Sequence, residues 1–420
     1  MHLGTAQEIL KVEEAVQIAL ENNYQIKIAS NALKMDAFSI SLGNAGILPQ
    51  MNASVTDNKS IQNSTQTRSD GTVVENDNAK NNSLNYGVAM DWTLFDGFRM
   101  FANYDQLKAT KKLGETELKQ VILAKVGEVM ITYFDLVQQQ QQLSALDSTI
   151  LISEQRVDLA QNRFTIGKAS KLEVLNAQVD LNTDQTLMQR QKELYANTKV
   201  QLNVHLARDL KMDYEVVPEI LVDQGLLLPE LETLVQEKNP QLQAAVINKR
   251  ISELELKQIK ALRYPTIYAT TGYNFGRSES SLGFTSKSNS RGWNYGFGAN
   301  INLFDGFNQN RNEKISKIAV ANKEVEIAQR TQELMSLLNT TYQTYLTNIS
   351  LIELEARNEE IAQENLKITV EKFKIGIIPT IEFRTAQLNY INAMVRHSDA
   401  KFQAKLSEII LKQLSGNLVL

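Results

Sequence analysis

A repeat with a constant spacing constrains the fold of this 420-residue chain more than any other feature. The segment from Leu94 to Phe98, which reads LFDGF, recurs from Leu303 to Phe307, and the residue numbers differ by 209. Phe164, Ile166 and Gly167 recur as Phe373, Ile375 and Gly376 with the same difference of 209. Because the register is unchanged between these two matches, the intervening residues must form one element of equal length in both halves, and we expect a long helix.

Upstream of these matches the spacing changes. Asn23 and Pro49 correspond to Asn239 and Pro265 with a difference of 216, so the first half has seven more residues before its LFDGF segment. Such an insertion belongs in a loop of an otherwise duplicated unit. The predicted parts are a first repeat over residues 1–210, a connection over 211–230 and a second repeat over 231–420.

Each repeat contains a stretch in which apolar residues alternate with small or polar ones, which is typical of a β-strand with one apolar face. These stretches run from Leu84 to Leu94 and from Trp293 to Leu303. Their apolar faces carry the aromatic residues Tyr86, Trp92, Trp293, Tyr295 and Phe297. A strand that crosses a bilayer needs roughly 9 to 11 residues, so we expect these aromatics to face lipid.

The corresponding β-hairpins are predicted over about 50–95 and 266–304. Their connections, 57–82 and 277–291, are rich in Asn, Ser, Thr and charge, and we interpret them as long external loops. An amphipathic hairpin resting on a soluble core is the alternative.

Helix-forming residues fill most of the remaining chain, and the long stretch from Phe98 to Arg163 has no proline. Its apolar residues recur every three or four positions, in part as coiled-coil heptads. The predicted helices span about 11–48, 97–165 and 170–208 in the first repeat, and about 231–263, 306–375 and 380–414 in the second. A helix of this length extends on the order of 100 Å, which is too long for a globular domain.

Four strands cannot form a closed barrel by themselves. An open sheet edge in lipid leaves backbone N–H and C=O groups unpaired, at a cost of several kcal/mol each. Three chains would supply twelve strands to one shared barrel with room for water. We therefore expect a homotrimer in contact with outer-membrane lipid.

Composition excludes several classes of function. The chain has no cysteine, three histidines and a net charge of −4. Disulfides and thiolate sites are therefore ruled out, and no Lys/Arg-rich run predicts nucleic-acid binding. Without an HExxH, P-loop or GxSxG motif, we expect no catalytic, cofactor-binding or metal site, and hence no enzyme.

The sequence shows neither a transmembrane helix nor the pattern of a secretion signal. No apolar run approaches the roughly 18 residues of a transmembrane helix, so any span must be made by strands. The first residues, Met1 to Gln7, lack the basic and apolar regions of a secretion signal. We expect either a cytosolic protein or one whose signal has been removed.

The order and doubling of these features resemble the TolC family of outer-membrane efflux proteins, the channel-tunnels of Gram-negative tripartite exporters. The resemblance covers essentially the whole chain. It rests on segments 12–16, 19–23 and 48–49, on both LFDG turns, on both glycine-centred tips, and on segments 173–178 and 382–387 that follow them.

The resemblance implies a mainly α fold with a β-barrel portion. The protomer would be an internally duplicated channel-tunnel unit with long antiparallel helical hairpins and four transmembrane β-strands. A homotrimer would form a twelve-stranded barrel in the outer membrane and an α-helical barrel in the periplasm. An equatorial belt would come from residues 209–230 and the C-terminal tail.

The implied function is passive conduction of export substrates, in tripartite efflux or type I secretion, from an inner-membrane pump and a periplasmic adaptor (membrane fusion) protein. The helical tips, 164–170 and 373–379, would dock the adaptor. The residues transferred to this role are Phe164, Thr165, Ile166, Gly167, Lys168, Phe373, Lys374, Ile375, Gly376 and Ile377.

The resemblance further implies an acidic constriction at the periplasmic end, with Glu382 at its first position and Glu173 as the counterpart in the other repeat. Three Glu382 carboxylates around a threefold axis would attract cations. The family's second acidic position is Thr385 here, and its latch Arg and Tyr are Ile378 and Phe373. The family's polar latch therefore cannot form, and we assign no gating role beyond Glu382. The alternative to a conduit is a coiled-coil scaffold or surface adhesin without transport activity.

Overall fold

A computed structural model describes residues 9–282 and 285–418 of the chain. The segment from Met1 to Gln7, to which the interpretation of the secretion signal applies, lies outside the described residues. The chain forms two compact units. The helical unit comprises Met1–Ala32, Glu115–Ala245 and Ile327–Leu420, and the sheet unit comprises Leu33–Gly114 and Val246–Glu326.

The elements follow one another in the same order in the two repeats. The helices are α1 (Val12–Asn22), α2 (Tyr24–Ser39), α3 (Arg99–Thr165), α4 (Lys171–Leu206), α5 (Leu228–Lys238), α6 (Pro240–Ala261), α7 (Asn308–Lys374) and α8 (Thr380–Leu414). The strands are β1 (Ile9–Leu10), β2 (Gln50–Thr67), β3 (Val73–Phe95), β4 (Glu215–Val216), β5 (Thr266–Ser280) and β6 (Lys287–Asn300). Helices α3 and α7 both contain 67 residues, so the constant spacing of 209 reflects two helices of equal length. Across the described residues, no helix combines the length and apolarity needed to cross a membrane.

The first helix of each repeat is broken by an asparagine, whereas the sequence pattern predicts one continuous helix. The Asn23 amide donates to the His205 carbonyl at 2.9 Å, and its Oδ1 accepts the backbone N–H of Gln25 at 2.9 Å. Asn239 repeats both contacts with Leu414 and Gln241, at 2.8 and 2.9 Å. Each asparagine therefore caps the second helix segment and ties it to the end of the return helix. Helical periodicity continues through such a break and so conceals it.

The LFDGF segments form the junction between strand and long helix in both repeats. The Asp96 carboxylate accepts the Met100 N–H at 3.0 Å, and Asp305 accepts the Gln309 N–H at 2.7 Å, so each aspartate caps the first turn of a long helix. The two residues after each aspartate have positive φ: 71° and 67° for the pair in the first repeat, 68° and 63° in the second. Glycine adopts this conformation freely, and the following phenylalanine (Phe98 or Phe307) does so under strain.

The described residues of the sheet unit form a four-stranded antiparallel sheet in the order β2-β3-β5-β6. Val88 pairs with Ala53 on one side and with Tyr273 on the other, and Tyr273 pairs with Trp293. Directly paired residues lie on the same face, so the apolar faces of the four strands are continuous. Strands β2 and β6 are the edges, each paired with one neighbour within the described chain.

The strands extend far into the segments that sequence polarity assigns to external loops. Strand β2 reaches Thr67 and β3 begins at Val73, so only 68–72 connect them; β5 and β6 likewise occupy much of 277–291. The loop interpretation of 57–82 is therefore wrong for most of its length. The residues of this part of the sheet are mostly polar on both faces, but backbone pairing continues because it does not depend on side-chain type.

The core of the helical unit forms where short segments pack around the middle of α3. Tyr133 is buried, and its hydroxyl donates to the Leu10 carbonyl at 2.9 Å while accepting the Val217 N–H at 3.2 Å. Strands β1 and β4 pair through Leu10 and Val216 beside it. This arrangement holds the connection between the repeats against α3.

Candidate functional site

The two predicted tips have the same backbone geometry. After α3, the Gly167 N–H donates to the Phe164 carbonyl at 2.9 Å and the Lys168 N–H to the Arg163 carbonyl at 2.8 Å. After α7, the Gly376 N–H donates to the Phe373 carbonyl at 3.0 Å, and the next N–H reaches five residues back at 3.1 Å. This pair of bonds is the Schellman motif, which satisfies the last carbonyls of a helix.

Both tip glycines are required by backbone conformation and not by space. Gly167 has φ +77° and Gly376 has φ +78°. A Cβ atom at either position would meet no described heavy atom within 4 Å. The glycines therefore fix the turn while leaving the surface around them open.

The tip side chains differ in exposure. Ile166, Ile375 and Ile377 are 65%, 70% and 69% exposed, whereas Phe164 is 39% exposed. Phe373 is buried and packs on the Phe383 ring with centroids 4.8 Å apart. The isoleucines thus present apolar surface, while Phe373 holds α7 against α8.

The two predicted constriction residues are in different electrostatic environments. Glu173 lies in the first turn of α4, and its Oε1 is 3.3 Å from Nη1 of Arg163 on α3. Glu382 lies in the first turn of α8 and is exposed, with no cationic partner among the residues that the structure describes. The two repeats therefore offer one neutralised carboxylate and one free carboxylate.

A buried ion network near the tips was missed by the sequence analysis. Arg384 on α8 makes two hydrogen bonds of 2.8 Å to the two carboxylate oxygens of Asp184 on α4. Ser153 on α3 donates to the same carboxylate at 2.6 Å, and Gln387 donates to Ser153 at 2.9 Å. Asp184 is 1% exposed, so this network joins three helices from both repeats in the interior of the helical unit.

A second arginine extends the network. Arg156 on α3 is 3% exposed, and its Nη1 lies 2.7 Å from Oδ2 of Asp180. Asp180 is also 3.7 Å from Nε of Arg384 and so lies between the two guanidinium groups.

The repeat spacing held a signal for this network. At a difference of 209, Arg384 corresponds to Leu175 and Asp184 to Ala393. A charged residue where the other repeat has an apolar one indicates a contact that is present in one repeat alone. Comparing the two repeats in this way identifies Arg384 and Asp184 as unusual, but it does not show that they pair with each other.

The predicted lipid-facing aromatics lie on the apolar face of the sheet. Trp293, Tyr295 and Phe297 on β6 are 71%, 84% and 81% exposed. Tyr86 and Trp92 on β3 are about half as exposed, at 42% and 39%, because neighbouring strands and the segment before β2 cover them. A single chain thus exposes a broad aromatic surface.

Comparisons with known proteins agree with this architecture. The family model described as outer membrane efflux protein matches residues 15–207 and 232–417. The probable efflux pump outer membrane protein TtgC of Pseudomonas putida is 20% identical over 414 residues, which cover 96% of this chain and 82% of the relative. The probable outer membrane lipoprotein SilC of Salmonella typhimurium is 21% identical over 410 residues, or 96% and 84% of the two chains.

Solved structures show the same fold at low identity. The CmeC outer membrane channel of Campylobacter jejuni has a TM-score of 0.80 at 16% identity, over 97% of this chain and 85% of that one. The outer membrane protein VceC of Vibrio cholerae has a TM-score of 0.79 at 12% identity, over 96% of both chains.

Proposed function

The chain belongs to the outer membrane efflux protein family, and from this premise we propose that three copies assemble into one passive duct for export substrates. Family membership supports a conduit over an enzyme, and it favours a conduit over a scaffold or adhesin. The energy for transport would come from an inner-membrane pump, to which a periplasmic adaptor protein links the duct.

The two-faced sheet with open edges is the observation that carries this proposal. One face is continuously apolar and aromatic, and the opposite face is built mainly of glycine, asparagine and threonine. Strands β2 and β6 each leave one side unpaired in the described chain. In lipid these edges are stable only when they pair with further strands, and the antiparallel order allows β6 of one copy to meet β2 of the next.

Three copies give a barrel of twelve strands, with the aromatic face toward lipid and the glycine-rich face toward a water-filled lumen. The outer parts of β2 and β3, which are polar on both faces, would then project beyond the membrane. The helical unit would lie in the periplasm.

The exposed isoleucines at the tips support adaptor docking. Ile166, Ile375 and Ile377 present apolar surface on rigid Schellman turns, and Lys168 and Lys374 lie beside them. Apolar groups with charged neighbours at a fixed backbone position are the usual components of a protein interface. We assign docking to these residues and a packing role to Phe373.

The acidic aperture is assigned to Glu382. Its carboxylate is exposed and lacks a cationic partner in the described structure, whereas Arg163 neutralises Glu173. Three free carboxylates close to one axis would favour cations over anions.

Reconstitution in planar lipid bilayers tests the duct. We expect conductance steps from a detergent-purified species of about three times 47.3 kDa. A monomer that gives no conductance would contradict the proposal.

The aperture is tested with Glu382→Gln, which keeps the side-chain shape and removes the charge. We expect a lower cation-to-anion permeability ratio. Glu360→Gln is the matched control, because Glu360 is an exposed glutamate on α7 and its replacement should leave the ratio unchanged. Equal ratios in the wild type and in Glu382→Gln would remove the aperture assignment while leaving the duct intact.

A further inference from the structure

One aromatic side chain lies on the otherwise small and polar face of the sheet. By strand register, the central part of this face in the described residues includes Tyr268 together with Gln50, Asn52, Ser54, Thr56, Asn85, Gly87, Ala89, Asp91, Thr93, Thr266, Thr270, Gly272, Asn274, Gly276, Ser290, Gly292, Asn294, Gly296, Gly298 and Asn300. The position that corresponds to Tyr268 in the first repeat, at a difference of 216, is Asn52. The tyrosine therefore belongs to the second repeat alone.

The Tyr268 ring lies directly against the backbone of its cross-strand partner, Gly298. A Cβ atom at Gly298 would come within 2.7 Å of Cε2 of the ring, and closer still to Cζ and to the hydroxyl oxygen. The ring thus occupies the space that a side chain at Gly298 would need, an arrangement that accounts for a glycine within this strand. Tyr268 is nevertheless 39% exposed, so part of its side chain remains open to solvent.

An unpaired carboxylate lies next to this ring. Thr93 pairs with Tyr268, and Asp91 pairs with Thr270, so Asp91 is a diagonal neighbour of Tyr268 on the same face. Such neighbours are roughly 7 to 8 Å apart, within reach of one flat organic molecule. Among the described residues the Asp91 carboxylate has no cationic partner.

There is also room beside the carboxylate. Asp91 and Thr93 line a cavity of about 410 Å³, at the end of the sheet where the long helix begins. Tyr268 is not among its lining residues, so the cavity adjoins the carboxylate side of the pair. Arg99 lines the same cavity, and its Nε lies 3.4 Å from Oδ2 of Asp96.

We propose that Tyr268 and Asp91 form a subsite in the duct for planar organic cations. The negative face of the ring attracts a cation that stacks on it, and the carboxylate supplies the opposite charge. A single cation–π contact with one nearby charge is a weak attraction, which suits a conduit because cargo must bind weakly enough to leave. The subsite rests on the proposed function, because this face becomes a lumen only in the closed trimer, which would carry three copies.

Block of conductance by ethidium, a planar aromatic cation, tests the subsite. The measurements use a Glu382→Gln background, since the acidic aperture would also attract the dye. Tyr268→Leu keeps an apolar side chain over Gly298 but removes the π-system, and Asp91→Asn removes the charge. We expect each change to weaken the apparent affinity for ethidium by roughly threefold or more, as expected for a cation–π contact or a single charge pair.

Controls separate this subsite from general effects. Tyr295→Leu makes the same substitution on the opposite, aromatic face and should leave ethidium block unchanged. Fluorescein, a planar anion, should block the parent channel far less than ethidium. Ethidium anisotropy with the purified trimer repeats the affinity measurement without relying on conductance.

The outcomes are distinguishable. Equal ethidium affinity in the parent, Tyr268→Leu and Asp91→Asn channels would overturn the subsite while leaving the duct in place. A wild-type protein that forms no trimer and passes no current would overturn the duct, and the subsite with it.

Discussion

Replacing Arg384 with leucine should destabilise the tip end of α8 strongly, because it leaves the Asp184 carboxylate buried without its counter-charge. The carboxylate is 1% exposed, and of its hydrogen bonds to the described residues only the 2.6 Å bond from Ser153 would remain. Breaking a buried ion pair by removing one partner costs about 3 to 5 kcal/mol. Leucine is the residue that the other repeat has at the matching position, Leu175, so the replacement is compatible with a helix of this kind.

The double variant Arg384→Leu with Asp184→Ala provides the matched control. It installs on both sides the residues of the other repeat, since Asp184 corresponds to Ala393. Replacing a buried pair by apolar residues is often close to neutral, so we expect the double variant to lie within about 1 kcal/mol of the wild type. The coupling energy between the two sites would then be at least about 2 kcal/mol.

Hydrogen exchange followed by mass spectrometry measures this local stability without global unfolding. Since 1.36 kcal/mol corresponds to tenfold, Arg384→Leu should speed exchange in the first turns of α8 by roughly two to nearly four orders of magnitude. The double variant should return to within about tenfold of the wild type. Equal acceleration in the single and double variants would refute the reasoning, because the effect would then not come from an unpaired buried charge.

Three further predictions concern the tip, the connection and the helix break. Gly167→Ala should lower the melting temperature, since alanine at φ +77° costs about 1 kcal/mol, whereas Gly292→Ala, at a strand position with open space, should not. Burial raises the pKa of Tyr214 to about 12, so the stability from its neutral form is complete below about pH 10 and lost as the pH rises from 10 to 12. Tyr214→Phe should reduce the fall in melting temperature between about pH 10 and 12, although it also removes the 3.2 Å hydrogen bond to the Lys199 carbonyl. The same fall in Tyr214→Phe as in the wild type would show that Tyr214 does not cause it. Asn239→Ala should cost about 1 to 2 kcal/mol and Asn239→Ser less, because serine keeps an oxygen that can accept the Gln241 N–H, while both variants lose the amide bond to the Leu414 carbonyl; equal losses, compared by thermal melting, would argue against capping.

The repeat spacing, the side-chain periodicity and the tip glycines predict much of the architecture from the sequence alone. The 209-residue spacing predicts two long helices of equal length, and both contain 67 residues. The period-two pattern identifies the aromatic face of the strands, and the tip glycines identify the helix ends. These features depend on local backbone preference and on side-chain periodicity, both of which the sequence carries directly.

Packing between distant segments decided the rest. The pairing of Arg384 with Asp184, the neutralisation of Glu173 by Arg163 and the burial of Phe373 join residues from different helices. Periodicity shows which face of a helix is apolar, but not which charged residue on another helix lies opposite. The position of the Tyr268 ring over Gly298 is likewise set by strand register, which only the assembled sheet defines.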